Sequence, residues 1–512
     1  MFFELNHIIL GECFYIMFTL CSRLRILNDE SHFFYLKNSC LYLMNQKKTV
    51  PSSLPKRFIT HFFTRKSSAL LIWLSAIIGT LAGAISALFD HSIFWINAER
   101  LDLIASYGDS NIPLWIVAIP ISSVMAGFAF YLAHRFAPEA GGSGIPEIEG
   151  AMEGMRPVRW KRVIPVKFFG GLFALGSGMA LGREGPSVQL GANIGRMISD
   201  IFKVDQADAQ ALLAAGAAGG LAAAFNAPLA GIMFVIEEMR SQFNYSLTST
   251  KSVFMSAVMA TIVMRFMSGQ DAVISVIRYS HPDLMALWLY LLLGFCFGVI
   301  GLLFNKMLLA TQDMYLFVHQ NKRWRFVAVG LFLGAVFGAL SVIEPELAYG
   351  GMELIPKVAG GHYLSGALMI IFVFRIISTL ASFGSGAPGG VFAPTLALGT
   401  LFGMLFGLAC HALFPELVTE PGRFAIAGMG GLFAASVRAP ITGILLVIEM
   451  TSNYEMILPL IVTCLGATMV AQTLGGRPIY TQLLERTMRL SMRQKRQEQV
   501  RKAMVHLERN QR

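Results

Sequence analysis

Ala227-Pro228-Leu229-Ala230-Gly231-Ile232, followed by Val235-Ile236-Glu237, returns later in the chain as Ala439-Pro440-Ile441-Thr442-Gly443-Ile444, followed by Val447-Ile448-Glu449. Each copy is a short apolar run that opens on proline. Proline is favoured at the first helical position, where its missing N–H is no loss. Each copy therefore reads as a helix that starts inside apolar surroundings. A second motif repeats in the same order, Gly142-Ser143-Gly144-Ile145-Pro146 as Gly384-Ser385-Gly386-Ala387-Pro388. Two motifs repeated in one order imply two related halves, about 67–270 and 285–480, a common mark of transporters. Motifs alone leave open whether the halves are inverted relative to each other.

Composition places these runs in a membrane. Of 512 residues, 55% are hydrophobic and 14% charged, against roughly 25% charged in a soluble domain. The mean hydropathy is +0.59. Runs such as 69–89 and 284–304 match the about 20 apolar residues that a spanning helix needs. The expected fold is an all-α polytopic membrane protein with broken, partly spanning helices. The net charge of +10 reads as the positive-inside bias of cytoplasmic loops. A nucleic-acid partner would need that charge gathered on a soluble domain. The basic clusters at 56–57 with 65–66, 156–162, 322–325 and after 477 are assigned to the cytoplasm, so both termini are expected there. Residues 1–66 read as an N-terminal cytoplasmic extension, with a misassigned start as the alternative. Residues 481–512 read as a basic cytoplasmic tail. Six cysteines and ten histidines show no metal-ligand spacing, so neither a metal nor a cofactor is expected.

Helices that begin within a membrane expose unpaired N–H groups. In hydrocarbon these are tolerated only where protein or a water-filled cavity satisfies them, and their natural occupant is an anion. Pro146, Pro186, Pro228, Pro394 and Pro440 mark five such starts. Four segments carry candidate chemistry. In Gly142-Ser143-Gly144-Ile145-Pro146 the hydroxyl is a donor between glycines that allow close approach of backbone; an ordinary N-cap serine is the competing reading. Gly182-Arg183-Glu184-Gly185-Pro186 sets two ionisable residues between apolar stretches, where such groups are costly and functional by default. A structural Arg183–Glu184 pair is the alternative. Gly389-Gly390-Val391-Phe392-Ala393-Pro394 is weak alone, and gains weight from following Gly384–Pro388 directly. Gly476-Arg477-Pro478-Ile479-Tyr480 ends the last apolar run, where tyrosine commonly anchors the interface.

Together these segments resemble the CLC family of chloride channels and exchangers, over about residues 67–485, with the bacterial exchangers nearest. The resemblance implies a fold of two inverted halves and a homodimer with one pathway per subunit. It implies that Ser143, Tyr480 and the N–H groups of Val391 and Phe392 bind a central chloride. The N–H groups around Arg183 to Gly185 would bind an outer anion. Glu184 would be the gating glutamate and Glu238 the inner proton acceptor, with no acid at the matching position of the second half, Met450. Glu147, Glu149 and Lys167 would pair structurally. No regulatory CBS domain is expected after Tyr480. The implied function is exchange of chloride for protons across a bacterial inner membrane, with a passive chloride channel as the alternative. An intramembrane hydrolase would need a base near Ser143, and none of the four segments holds a histidine. Glu237, matched by Glu449, is assigned a structural role.

Overall fold

The computed structural model describes residues 68–108, 112–239, 245–320, 322–492 and 496. The expected N-terminal extension, with Cys13, Cys21 and Cys40, lies outside the described residues, as does most of the basic tail. The first half comprises α1 Ser68–Ala105, α2 Leu114–Phe136, α3 Ile145–Met152, α4 Trp160–Gly176, α5 Glu184–Phe202, α6 Gln206–Phe225, α7 Pro228–Glu237 and α8 Leu247–Ser268. The second comprises α9 Leu287–His319, α10 Arg323–Ile343, α11 Leu354–Ala359, α12 Ser365–Gly384, α13 Phe392–Leu413, α14 Gly422–Val437, α15 Pro440–Thr451 and α16 Ile457–Thr473. A further helical segment runs over 479–492. Among the described residues, 9 helices are long and apolar enough to cross a membrane, while α7, α14 and α15 are apolar and shorter.

Element by element, α1–α8 match α9–α16 in order and approximate length, including the very short α3 and α11. The relative direction of the halves follows from α7 and α15. Glu237, the last residue of α7, accepts hydrogen bonds from the N–H groups of Ile441 (3.1 Å) and Thr442 (2.8 Å) in the first turn of α15, and from Thr442 Oγ1 (2.9 Å). Glu449, near the end of α15, accepts from the N–H groups of Leu229 (3.2 Å) and Ala230 (2.9 Å) in the first turn of α7. Each carboxylate meets the unpaired amides and positive dipole end of the other helix. The two helices therefore run side by side in opposite directions, and the halves are inverted. This is also the shared structural role expected of Glu237 and Glu449.

The structure corrects the register of one repeat. Gly384–Pro388 runs from the end of α12 towards α13 and so corresponds to the segment from the end of α4 towards α5, not to Gly142–Pro146, which leads into α3. In that register Gly176-Ser177-Gly178 faces Gly384-Ser385-Gly386, and Gly182 faces Gly390, all at one spacing. Gly178 and Gly386 share a left-handed conformation, with φ of 89° and 84°. Gly182 and Gly390 pair directly, each N–H donating to the other's carbonyl at 2.8 and 2.7 Å. The Gly-Ser-Gly tripeptide misled the reading because turns of this kind recur for conformational reasons unrelated to the repeat.

Helix starts also differ in detail. Pro228 and Pro440 open α7 and α15, whereas Pro186 and Pro394 stand third in α5 and α13. The first four N–H groups of a helix lack intrahelical acceptors, so proline is tolerated there too. The inner helices pack at backbone distance. A Cβ at Gly191 of α5 would overlap the Gly216 carbonyl of α6, and one at Gly399 of α13 the Gly428 carbonyl of α14. The same contact in both halves holds α5 and α13, with their apolar-embedded starts, at the centre.

Candidate functional site

Three of the four sequence segments meet where α5 and α13 begin. A Cβ at Gly185 would lie 2.7 Å from Ser143 Oγ and 3.1 Å from the Gly390 Cα. Glycine at 185 thus lets the loop before α3, the start of α5 and the loop before α13 converge. The fourth segment arrives through Tyr480, which is fully buried. Ser143 Oγ and Tyr480 Oη lie close to one another at this point, both buried, and neither makes a hydrogen bond of ordinary geometry to the protein. Burying an unpaired hydroxyl costs about 1–3 kcal/mol, so two of them at one place mark a site built for something else.

Phe392 opens α13 and Val391 is its N-cap. The Phe392 ring is held among Phe433, Phe225 and Phe234, with centroids 4.4, 5.5 and 5.8 Å away. Packing of this kind fixes the ring geometry, and with it the direction of the first N–H groups of α13. The Gly142–Gly144 loop is fixed as firmly. Gly142 N–H donates to the Gly386 and Ala387 carbonyls, at 3.2 and 3.1 Å. Lys167, fully buried, donates from Nζ to the Ala140 carbonyl at 3.0 Å and the Gly142 carbonyl at 2.6 Å.

Glu184 is the first residue of α5 and fully buried; its carboxylate faces its own N–H and that of Ala393, with neither oxygen in a hydrogen bond of ordinary geometry. The carboxylate folds back over Gly182: a Cβ there would overlap it, and would stand 3.2 Å from the Ala393 nitrogen. Its acid therefore sits over the start of α13. A cavity of about 590 Å³ reaches it, lined also by Asp90, Asn97, Arg183, Tyr349 and Glu353. Arg183 does not pair with Glu184; it forms an ion pair with Asp90 of α1.

Glu238 follows α7 as its C-cap, its N–H donating to the Phe234 carbonyl at 2.9 Å. Its Oε1 is buried without a partner, as are both oxygens of the fully buried Glu149 on α3. Tyr480 Oη lies within electrostatic reach of Glu184, Glu238 and Glu149 together. The hydroxyl site thus lies within electrostatic reach of three buried or half-buried acids.

One sequence expectation needs correction. Glu147, Glu149 and Lys167 do not pair with one another. Glu147 takes a bidentate bond from Arg156, at 2.7 and 2.6 Å. Lys167 instead serves the Ala140 and Gly142 carbonyls, and a buried ammonium needs acceptors from whatever is near. Sequence reading missed Asp90, Arg156 and the aromatic ring around Phe392. Asp90 carried a usable signal, an acid inside a long apolar run. The aromatic residues carried none, because phenylalanine in a membrane segment is unremarkable in sequence. The remaining residues of the motifs, Gly144, Pro146, Gly182, Arg183, Pro186, Gly390, Ala393 and Pro394, all lie in the loops and first turns just described. Among the described residues no cluster of histidine, cysteine or acidic groups could hold a metal.

Residues 125–472 match the voltage gated chloride channel family. The chain belongs to this family, the CLC family. It is 57% identical over 444 residues to the H(+)/Cl(-) exchange transporter ClcA of Vibrio parahaemolyticus, a match covering 86% of this chain and 95% of the relative. The protein of the same name from Vibrio cholerae serotype O1 is 58% identical over 445 residues, with the same coverage. Among solved structures, a slow cyanobacterial Cl-/H+ antiporter superposes with a TM-score of 0.78 at 41% identity, covering 81% of this chain and 97% of the other. The CLC chain is thus matched across both inverted halves.

Proposed function

We propose that this protein is a secondary active antiporter that exchanges chloride for protons, with the anion held between Ser143 and Tyr480. The observation that carries the reading is the pair of buried hydroxyls lying close together beside the first turn of α13, neither in a hydrogen bond of ordinary geometry to the protein. A chloride ion sheds its hydration on entering low dielectric, an idealised cost of order 20 kcal/mol. Full positive charges would offset it but would hold the ion too tightly for release. Hydroxyls and helix-start N–H groups at Val391 and Phe392 are weaker donors, and conduction needs binding that permits both entry and exit.

Glu184 supplies the coupling. Ionised, its carboxylate occupies the space over the Ala393 amide as an anion would; protonated, it is neutral and free to leave. Proton and chloride thus compete for one place. The anion route is lined with donors and offers a proton no acceptor, so protons need a second acid, and Glu238 takes that role at the cytoplasmic side. Arg183, with its neighbouring N–H groups, forms the outer approach. The transport domain spans 67–480, both termini are cytoplasmic, and the protein works as a homodimer in the inner membrane, surrounded by lipid. The names of the Vibrio relatives and of the cyanobacterial antiporter support exchange over passive conduction.

The test is purified protein in liposomes under a chloride gradient, with chloride and proton movement recorded together. Exchange predicts uphill proton movement driven by chloride. Chloride flux with no proton flux at any pH between about 4 and 8, the range over which carboxyl and imidazole groups titrate, would make the protein a channel and remove the role of Glu238.

A further inference from the structure

Gln189 is almost completely buried in α5, the helix that carries Glu184 at its start. Its Nε2 donates to the Glu139 carbonyl at 2.7 Å. Glu139 belongs to the tight turn Pro138–Ala140 that leads into the Ser143 loop, and its own carboxylate takes a bidentate bond from Arg159, 2.7 Å at each contact. The same side chain presses on Gly144: a Cβ at that glycine would overlap the Gln189 carboxamide and stand 2.8 Å from its Cβ. Gly144 has φ of 86°, so two constraints exclude a larger residue there. One turn before Gln189 on the same helix face is Gly185, packed on Ser143. Gln189 is held in turn by its backbone, whose carbonyl accepts from Asn193 Nδ2 at 2.8 Å.

We infer that Gln189 is a positioning residue that fixes the Ser143 loop to the Glu184 helix, so that the anion donor and the gating carboxylate keep a set separation. The inference rests on the exchange reading for its coupling consequence, but not for its binding consequence. Lys167 also holds this loop, yet from α4 and through carbonyls 140 and 142. Gln189 is the side chain that ties the loop to the helix bearing Glu184. A hydrogen bond between neutral groups has a clear length and angle, so it transmits position rather than charge. Losing it lets the turn at Glu139 drift relative to α5, and Ser143 Oγ drifts with it.

The experiment uses full-length Gln189→Leu, which keeps approximate volume and removes the carboxamide, and Gln189→Asn, which keeps the amide but falls one methylene short. Chloride affinity is measured by titration calorimetry, and the proton-to-chloride flux ratio in liposomes, each beside wild type. For both variants the expected result is an affinity about three- to tenfold weaker, the equivalent of one lost hydrogen bond. The flux ratio should fall at least about twofold, a misplacement effect of the kind that distant positioning groups produce, while chloride movement continues. Wild-type affinity and flux ratio in either folded variant would overturn the inference, even if thermal stability fell, because a purely structural role would move stability alone. A wild-type protein without proton flux would defeat the exchange reading and leave the affinity comparison to decide the role of Gln189.

Discussion

The crossed carboxylates of α7 and α15 give a prediction whose size follows from geometry. Glu237→Ala removes three hydrogen bonds to a charged acceptor, from Ile441 N, Thr442 N and Thr442 Oγ1; Glu449→Ala removes two, from Leu229 N and Ala230 N. Bonds to charged groups contribute about 1.5–3 kcal/mol each when water cannot replace them. Both carboxylates are only half-buried, so water recovers much of the loss. The measured range for removing a helix N-cap, about 0.5–2 kcal/mol, is the better guide. We expect about 2 kcal/mol for Glu237→Ala and about 1 kcal/mol for Glu449→Ala. The two caps sit at opposite ends of the 10-residue α7, about 15 Å apart at 1.5 Å per residue. Sites so separated add, giving about 3 kcal/mol for the double variant. Large membrane proteins unfold irreversibly, so the measurement is the half-life of the protein in detergent at a fixed raised temperature. Inactivation should accelerate in the order Glu449→Ala, Glu237→Ala, double variant, with the double variant about a hundredfold faster than wild type if the caps break before the unfolding barrier. A double variant as long-lived as wild type would refute crossed capping, and one no worse than Glu237→Ala would refute independence of the two ends.

Glu184→Gln should abolish proton coupling and leave chloride movement, because the amide imitates the protonated acid and carries no proton; chloride-driven uphill proton movement in this variant would contradict the gating role. Glu238→Gln should stop proton flux and spare chloride flux, whereas Glu237→Gln, one residue away, should spare both; loss of proton flux in the second variant alone would exchange the two roles. Ser143→Ala with Tyr480→Ala should weaken chloride binding by about 1.5–3 kcal/mol for each lost bond to the ion, read by titration calorimetry, and unchanged affinity would place the whole site on backbone donors. Lys167→Met should lower thermal stability by removing the ammonium that donates to the Ala140 and Gly142 carbonyls, about 1–3 kcal/mol each, and a variant of wild-type stability would show that water reaches them.

Much of the site was legible because its demands are local. A helix that begins inside an apolar region needs glycine for close approach and proline or a small residue in its first turn. Gly182–Pro186 and Gly389–Pro394 display both needs in consecutive residues. Glu184 stood out because an acid among apolar residues is expensive. The register of the repeat was misread for an equally local reason. Gly-Ser-Gly satisfies a turn wherever it occurs, and only the order of the helices shows that Gly384 answers Gly176 rather than Gly142.

The amino-acid sequence by itself determined that this chain is a membrane protein of two related halves, that several of its helices are broken, and which hydroxyls and acids are exceptional. Those properties depend on hydropathy, on chain conformation and on the cost of burying charge, all of which act on neighbouring residues. Tertiary structure alone decided that α7 and α15 cap one another across the two halves, that Arg183 pairs with Asp90, that Lys167 serves the Ser143 loop, and that Gln189 joins that loop to the Glu184 helix. Each is a contact between residues far apart in the chain. Hydrogen bonds and ion pairs act over a few ångströms, so their partners are set by which helices the fold brings together, and no local pattern of residues encodes that choice.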